Sequence, residues 1–258
     1  MTSEALVLSY YRSGAIFLAA VALLVFGRMG LSEETAGYPE YVVDRFSETA
    51  LENGLPAGWE PLTFEKVPRH TAYTLEPHED DYCIKAESRD SASGLMRRLE
   101  IDPEQYPVLS WRWKVEGTIP GGNVASKKSD DYAARIYVTF KYEPERAGGW
   151  ERFKYGTYKT LYGEYPPKAS LNYFWANTLA KGGSTWSPYS KRSRMIAVES
   201  GAEGVGEWLT EEVNVLDDYR IFFGEDPPPI QGIAIMTDSD NTHTSATAYY
   251  DDIVFRGE

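Results

Sequence analysis

The stretch that decides the fold is residues 232–255, GIAIMTDSDNTHTSATAYYDDIVF. Residues 233–236 are apolar at successive positions, which is typical of a strand buried on both faces. Residues 248–255 alternate instead, with tyrosine, aspartate, isoleucine and phenylalanine at the odd positions. The acidic and hydroxyl-bearing residues 238–242 lie between these runs, so the pattern predicts two strands joined by a loop. Such a loop either caps its own turn or presents oxygen atoms to a ligand.

Short runs of β-forming residues precede this stretch, and glycine, proline, aspartate or asparagine separates them. The runs are residues 62–66, 71–75, 82–87, 94–101 and 108–115. Their close spacing predicts an all-β fold, an antiparallel β-sandwich of jelly-roll-like form. In the last run, tryptophan and leucine alternate with Arg112 and Lys114, so one face of that strand belongs to the core. One short helix is expected at residues 216–224.

The N-terminal residues have the composition of a targeting segment. Residues 14–27, GAIFLAAVALLVFG, are uncharged and apolar, and Arg12 and Arg28 flank them. The run matches the apolar core of a signal peptide, and an uncleaved signal-anchor helix is the alternative. Both interpretations export the protein to the periplasm or cell envelope, the second with a single anchor in the inner membrane. The expected segments are a signal peptide or signal-anchor at 1–30, a linker at 31–40 and the β-sandwich domain at 41–258.

Charge and cysteine content disfavour several classes of partner. Acidic residues outnumber basic ones by 39 to 26, which gives a net charge of −13. A surface of this sign repels nucleic acid and anionic lipid. It also disfavours a polyanionic substrate, unless a local basic patch overrides the mean charge. The single cysteine, Cys83, has no partner for an intrachain disulfide and excludes a thiolate metal cluster.

Candidate ligand-binding residues occur in a strand predicted within residues 129–140. Its apolar positions Ile136, Val138 and Phe140 alternate with polar ones, which predicts that the polar positions face away from the core. This outer face carries Asp131, Arg135 and Tyr137. Because a small residue lies between the first two, the face resembles the floor of a groove.

A second group of candidates lies in residues 171–182, LNYFWANTLAKG. Trp175 and Asn177 share one parity, and Lys181 follows them before a glycine pair. An exposed aromatic ring beside an amide and a cation can hold a sugar ring by stacking and directed hydrogen bonds. A core position for Trp175 is an equal alternative.

Several motifs resemble an uncharacterised bacterial family, domain of unknown function 3047. They are WRWKV at 111–115, DDYAARIYVTF at 130–140, WANTLAKG at 175–182, VESG at 198–201, DYRIFFGEDPP at 218–228 and IAIMTDSDNT at 233–242. This resemblance extends over most of the chain after the linker. It implies an exported bacterial β protein with no assigned activity.

The two ends of the predicted domain, VVDRF at 42–46 and YYDDIVF at 249–255, are also similar to jelly-roll carbohydrate-binding modules. In such modules the terminal strands pair and hold a structural calcium ion. The resemblance implies calcium as a cofactor, with Asp44, Asp251 and Asp252 as its ligands.

The acidic residues within residues 129–140 and 232–255 allow two kinds of chemistry. Asp131, Asp238 and Asp240 can serve sugar hydroxyl groups or a calcium ion, which prefers hard oxygen ligands. They can also serve as the acid and base of a glycoside hydrolase or lyase, which needs carboxyl groups on both sides of the substrate. No nucleophile elbow, phosphate-binding loop or dinucleotide fingerprint occurs in the sequence.

These observations predict an exported carbohydrate-binding β-sandwich protein. The alternatives are a glycoside hydrolase or lyase that uses paired aspartates, and a structural envelope protein with a protein partner. The candidate catalytic residues are Asp131, Asp238 and Asp240. The candidate ligand-binding residues are Arg112, Arg135, Tyr137, Trp175, Asn177, Lys181 and Asn241.

Overall fold

The computed structural model describes residues 38–46, 49–52, 54–79, 81–162 and 165–258. The predicted signal segment at 1–30 lies outside the described residues, as do residues 31–37 of the predicted linker. Within the part that is described, no helix is long and apolar enough to span a membrane.

Most of the described chain is β-strand. In chain order the strands are β1 (Glu40–Asp44), β2 (Leu51–Glu52), β3 (Leu55–Pro56), β4 (Trp59–Leu62), β5 (Ala72–His78), β6 (Asp81–Arg89), β7 (Ala92–Ile101), β8 (Val108–Val115), β9 (Arg135–Phe140), β10 (Ala169–Ala176), β11 (Ser184–Ser187), β12 (Ser190–Ser200), β13 (Leu209–Asn214), β14 (Ile230–Asp238) and β15 (Ser245–Arg256).

The strands form two main sheets. The six-stranded sheet has the order β13-β8-β15-β6-β5, and β1 also pairs with β15. The seven-stranded sheet has the order β11-β12-β10-β9-β14-β7-β4, and β2 and β3 pair separately. Their pairs are antiparallel apart from β10 and β12, which run parallel because β11 reverses the chain between them. The predicted all-β, largely antiparallel architecture is confirmed.

The loop after Asp238 connects the two sheets. Strand β14 belongs to the seven-stranded sheet, and strand β15 belongs to the six-stranded sheet. Residues 232–255 therefore form the two predicted strands, but the strands lie in different sheets and do not form a hairpin. The acidic residues between them lie at the edge where the chain crosses from one layer to the other.

Aromatic side chains fill the space between the sheets. The rings of Trp111 and Tyr173 have centroids 5.8 Å apart, and those of Trp113 and Trp175 are 5.9 Å apart. Each pair joins β8 of one sheet to β10 of the other, so these strands present their inner faces to each other. Rings of this size bury a large apolar area and dominate the stability of a core.

Two α-helices accompany the sheets. Helix α2 (Val215–Phe223) begins at Asn214, whose side chain accepts a hydrogen bond from the Asp217 backbone at 2.9 Å. It ends at Gly224, whose φ of 69° is favourable for glycine. This helix matches the predicted one within a residue. Helix α1 (Gly149–Tyr162) was not predicted, and it covers part of the seven-stranded sheet through Lys154 and Tyr155.

Candidate functional site

A buried ion pair joins residues 129–140 to residues 232–255. Arg135 begins β9, Asp238 ends β14, and these neighbouring strands bring the side chains together. The Arg135 Nε donates to Asp238 Oδ1 at 2.8 Å, and its Nη2 donates to Asp238 Oδ2. The side chains are only 3% and 2% exposed. The strand that begins at Arg135 therefore lies beside the end of the strand that contains Asp238.

The guanidinium of Arg135 is surrounded by further acceptors. Its Nη2 donates to the Asp130 carbonyl at 2.6 Å, and its centre lies 4.4 Å from the Tyr132 ring. Burial is the largest single effect and lowers the pKa of Arg135, but Asp238, Tyr137 and Asp130 together raise it by more, so the net pKa lies well above the usual value. Burial also raises the pKa of the Asp238 carboxyl, and Arg135 offsets that increase only in part. Arg135 is thus a fixed buried cation.

Asp131 holds the loop that follows β14. Its Oδ1 accepts hydrogen bonds from the Asn241 backbone and side-chain nitrogens, at 3.2 and 3.1 Å. Its Oδ2 accepts from the Thr242 backbone nitrogen and hydroxyl, both at 2.6 Å. The carboxylate is buried, and both of its oxygens are occupied. Asp131 and Asn241 therefore anchor the loop, and the catalytic role predicted for Asp131 and the ligand role predicted for Asn241 stay predictions.

The carboxylates of Asp131, Asp238 and Asp240 form an acidic cluster, with ligand atoms within 4.8 Å of one another. Asp240 is half-buried and accepts from Asn241 at 3.1 Å. Burial, and then the charge of Asp131, raises the pKa of Asp240. The carboxylate oxygens of Asp131 and Asp238 already accept hydrogen bonds from other groups of the protein. A cation or a catalytic proton transfer at these two residues would have to displace those donors.

Trp175 is a core residue. It is 0% exposed, its Nε1 donates to the Gly201 carbonyl at 3.0 Å, and its ring packs on Trp113. The stacking role predicted for it is therefore wrong. The odd positions of β10 face the other sheet, so no ligand on the outer face can reach this ring.

A cleft of about 730 Å³ lies on the outer face of the seven-stranded sheet. Its floor comes from β9, β10, β12, β14, β7 and β4, and helix α1 with residues 165–167 forms a wall. We call it the Tyr137 cleft. It is lined by Leu62, Phe64, Met96, Arg98, Tyr137, Thr139, Lys154, Tyr155, Tyr165, Pro166, Pro167, Ala169, Ser170, Ser190, Arg192, Ser193, Gln231, Ile233, Ala234 and Met236.

Tyr137 connects this cleft to the buried ion pair. The Arg135 Nη1 donates to the Tyr137 hydroxyl oxygen at 3.2 Å. Burial raises the pKa of Tyr137 to about 12, and Arg135 lowers it by a smaller amount. The hydroxyl therefore keeps its proton at neutral pH. Since Arg135 is the donor in this contact, the contact does not use the hydroxyl proton.

The comparison with protein families gives one result. The family model described as "Protein of unknown function (DUF3047)" matches residues 57–254. The chain belongs to the DUF3047 family. Among proteins of curated function, none matches this DUF3047 chain.

Solved structures similar to this DUF3047 protein include carbohydrate-binding modules. A family 11 carbohydrate-binding module of the cellulosomal cellulase Lic26A-Cel5E of Clostridium thermocellum has a TM-score of 0.44 and 13% identity, covering 86% of this chain and 97% of that chain. The family 11 module from Clostridium thermocellum in complex with a β-1,3-1,4-mixed-linked tetrasaccharide has a TM-score of 0.39 and 12% identity, with coverages of 84% and 95%. An adhesin domain of Lys-gingipain from Porphyromonas gingivalis has a TM-score of 0.33 and 12% identity, covering 84% and 100%.

Two other predicted ligand residues of this DUF3047 protein have structural partners. Asn177 Oδ1 accepts from the Ile119 backbone at 2.8 Å, and its Nδ2 donates to the Asp131 carbonyl at 2.9 Å. Its side chain therefore ties the loop between β8 and β9, which contains Ile119 and Asp131, to the residue that follows β10. Lys181 has an exposed side chain and pairs with Glu199. Neither Asn177 nor Lys181 lines the Tyr137 cleft.

Arg112 belongs to the opposite sheet. It lies on β8, 3.9 Å from an Asp251 oxygen and 3.4 Å from an Asp252 oxygen, and its guanidinium stacks over Trp208 at 5.2 Å. Because the Tyr137 cleft is built on the seven-stranded sheet, Arg112 cannot share a ligand there. The predicted set of ligand-binding residues is thus divided between both sheets.

The residues of the implied calcium site do not fit one ion. Asp44 is buried and accepts from Phe46, Trp59 and Arg97, at 2.9, 2.7 and 2.9 Å. Asp251 and Asp252 face Arg112 instead. Among the described residues, these three carboxylates do not gather as one set of ligands. The assignment implied by the resemblance of the chain ends is therefore corrected, although β1 and β15 do pair as expected.

Most of the residues that line the cleft were not predicted from the sequence. Lys154, Tyr155 and Tyr165 lie in a stretch rich in tyrosine and charge that has no clear strand or helix period. Part of the cleft floor was predictable, because Thr139 lies two residues after Tyr137 in β9 and therefore faces the same side of the sheet. The same rule identifies Ser170, which alternates with buried residues in β10.

Proposed function

We propose that this protein binds carbohydrate in the Tyr137 cleft. The observation that carries the proposal is the combination of aromatic rings and hydroxyl or amide groups around one open cleft on a rigid sheet. The aromatic side chains are those of Phe64, Tyr137, Tyr155 and Tyr165, and the uncharged polar ones are those of Thr139, Ser170, Ser190, Ser193 and Gln231.

Each part of this lining matches a part of a sugar. The C–H face of a pyranose ring packs on aromatic rings, and its hydroxyl groups exchange hydrogen bonds with hydroxyl and amide side chains. Tyr137 supplies both interactions, because it has a ring at the floor and a hydroxyl proton that its contact with Arg135 does not use. The backbone of β9 and β14 fixes its position, so binding requires little ordering of the floor.

The protein is exported in this proposal. The support is the uncharged run at residues 14–27, which has the length of a signal-peptide core. Expression of the full chain in a bacterium, followed by separation of periplasm, membrane and cytosol, tests this step. Recovery in the periplasm or membrane is expected, and recovery in the cytosol alone would contradict it. The mass of the recovered chain reports whether the segment is cleaved.

A glycan array tests the binding directly. The purified full chain is expected to bind a defined class of oligosaccharide and to leave its length unchanged on incubation. Shortening of the bound oligosaccharide would instead favour the glycoside hydrolase. Absence of binding across the array would remove the proposal.

A further inference from the structure

The charge of the Tyr137 cleft is opposite to that of the whole protein. Acidic residues outnumber basic ones by 39 to 26 in the chain, yet among the residues that the structure describes, the charged ones lining the cleft are Arg98, Lys154 and Arg192. A local excess of positive charge in an acidic protein concentrates anions at that place. It is the kind of basic patch that permits an anionic ligand despite a negative mean charge.

The positive charge of Arg192 is only partly neutralised by its neighbours. Its Nη2 donates to Glu225 Oε1 at 3.0 Å, but the same oxygen lies 3.2 Å from Lys168 Nζ. Two cations therefore share one carboxylate. Burial raises the pKa of Glu225, and hydrogen bonds from Arg192 and Lys168 more than reverse this, so the net pKa is lowered. Glu225 stays ionised, and this group of three side chains retains one positive charge.

Lys154 contributes from helix α1, which forms a wall of the cleft. It is an exposed residue of α1, and no carboxylate of the described chain pairs with it. Arg98, on β7, pairs with Glu60 at 3.4 Å and is not counted among the cations offered to a ligand.

The acidic cluster does not cancel this charge at the cleft surface. None of Asp131, Asp238 and Asp240 lines the cleft. Arg135 lies between Asp238 and Tyr137, because its guanidinium bonds both of them. The groups that a ligand meets directly are therefore aromatic, hydroxyl-bearing or cationic.

We infer that the ligand of the Tyr137 cleft is an acidic carbohydrate, with carboxylate groups of the uronic acid type. This inference rests on the proposed carbohydrate-binding function and specifies its substrate class. The aromatic floor holds the sugar rings, while Arg192 and Lys154 bind ring carboxylates. Hydrogen bonds from a cationic side chain to a carboxylate are charge-assisted and stronger than neutral ones.

Calorimetric titration with a matched pair of ligands tests the inference. The pair is an oligogalacturonide and its fully methyl-esterified form, which have the same sugar rings but differ in charge. We expect the full chain to bind the acid form about tenfold more tightly than the ester, and this preference to shrink as salt is added. Equal affinity for the two forms would overturn the inference.

Charge-neutralising variants locate the effect. Arg192→Gln and Lys154→Gln are each expected to weaken binding of the acid form by about fivefold to tenfold, with the ester unaffected. Lys85→Gln, on the six-stranded sheet, makes the same change of charge outside the cleft and is expected to leave binding unchanged. Thermal unfolding of each variant confirms that the fold is retained.

The outcomes separate this inference from the function on which it rests. Tight binding of neutral glycans with no preference for the acid form would leave the proposed function standing and reject the acidic ligand. Failure to bind any glycan, neutral or acidic, would reject both. Equal losses in Arg192→Gln and Lys85→Gln would show a general effect of charge and would also reject the inference.

Discussion

Arg135 and Asp238 lie 103 positions apart in the sequence and form a buried two-point ion pair. The pair joins the first residue of β9 to the last residue of β14. It also stands behind Tyr137, whose hydroxyl accepts from the same guanidinium at 3.2 Å. One contact therefore fixes the register of two strands and the position of a residue at the cleft floor.

Removal of one partner of this pair should destabilise the protein strongly. We expect Asp238→Ala to lower the free energy of unfolding by about 3–5 kcal/mol, because a buried guanidinium would remain without its main counter-charge. Urea denaturation measures the change. The matched control is Glu87→Ala, which removes an exposed contact with Arg89 at 3.7 Å and should cost less than about 1 kcal/mol. Equal losses in the two variants would contradict a structural role for the buried pair.

Trp175 should behave as a core residue and not as a ligand contact. Trp175→Ala is expected to cost about 3–5 kcal/mol of unfolding free energy through the cavity that it leaves. Trp150→Ala, at a position 77% exposed, should cost less than about 0.5 kcal/mol. Denaturation of both variants makes the comparison. A Trp175→Ala protein of normal stability would contradict the packing described above.

The loop that covers one end of the sheet depends on Gly122. A Cβ added there would lie 2.8 Å from the Asp131 carbonyl oxygen and would collide with the Asn177 side chain. Gly122→Ala is therefore expected to lower the free energy of unfolding by about 1–3 kcal/mol. Gly117→Ala is the control, since nothing lies within 4 Å of its added Cβ. If the denaturation curves of Gly122→Ala and Gly117→Ala coincide, the close packing around Gly122 is contradicted.

Glu211 should make stability depend on pH. It accepts from Trp113 Nε1 at 3.1 Å and lies against Glu199. Burial, followed by the charge of Glu199, raises its pKa from 4.5 to about 7. The folded state therefore holds this proton more tightly than the unfolded chain does. Its contribution to stability is complete below about pH 4.5 and is lost as the pH rises through about 7.

The variant Glu211→Gln tests this dependence, because glutamine keeps the uncharged form at every pH. The free energy of unfolding of Glu211→Gln relative to the wild type should increase between about pH 4.5 and pH 8. A difference that stays constant over this range would reject the raised pKa.

The alternation of side chains was sufficient to predict much of the fold. It identified β8, β9 and the two strands around Asp238, and it placed Arg135 and Tyr137 on the outer face of β9. Periodicity succeeds there because one face of each strand is uniformly apolar. Helix α2 was also predictable, since Gly224 marks its end.

The same rule failed for β10, where both faces are buried. The odd side chains of β10, including Trp175, face the other sheet. The even position Phe174 packs with Tyr132 and Met195 under the loop that covers the outer face. When both faces are apolar, parity does not show which one is the inner face. The cleft was missed for a related reason, because its wall comes from α1, a segment whose mixed charges and tyrosines gave no clear period.

The central claim is that a ligand is held at Tyr137. Calorimetric titration of the full chain with the strongest glycan from the array tests this claim, using Tyr137→Ala and, as control, Tyr82→Ala on the other sheet, where the tyrosine is 47% exposed. We predict that Tyr137→Ala weakens binding at least about tenfold through loss of stacking and one hydrogen bond, while Tyr82→Ala binds as the wild type does. Unchanged affinity in Tyr137→Ala would contradict the account.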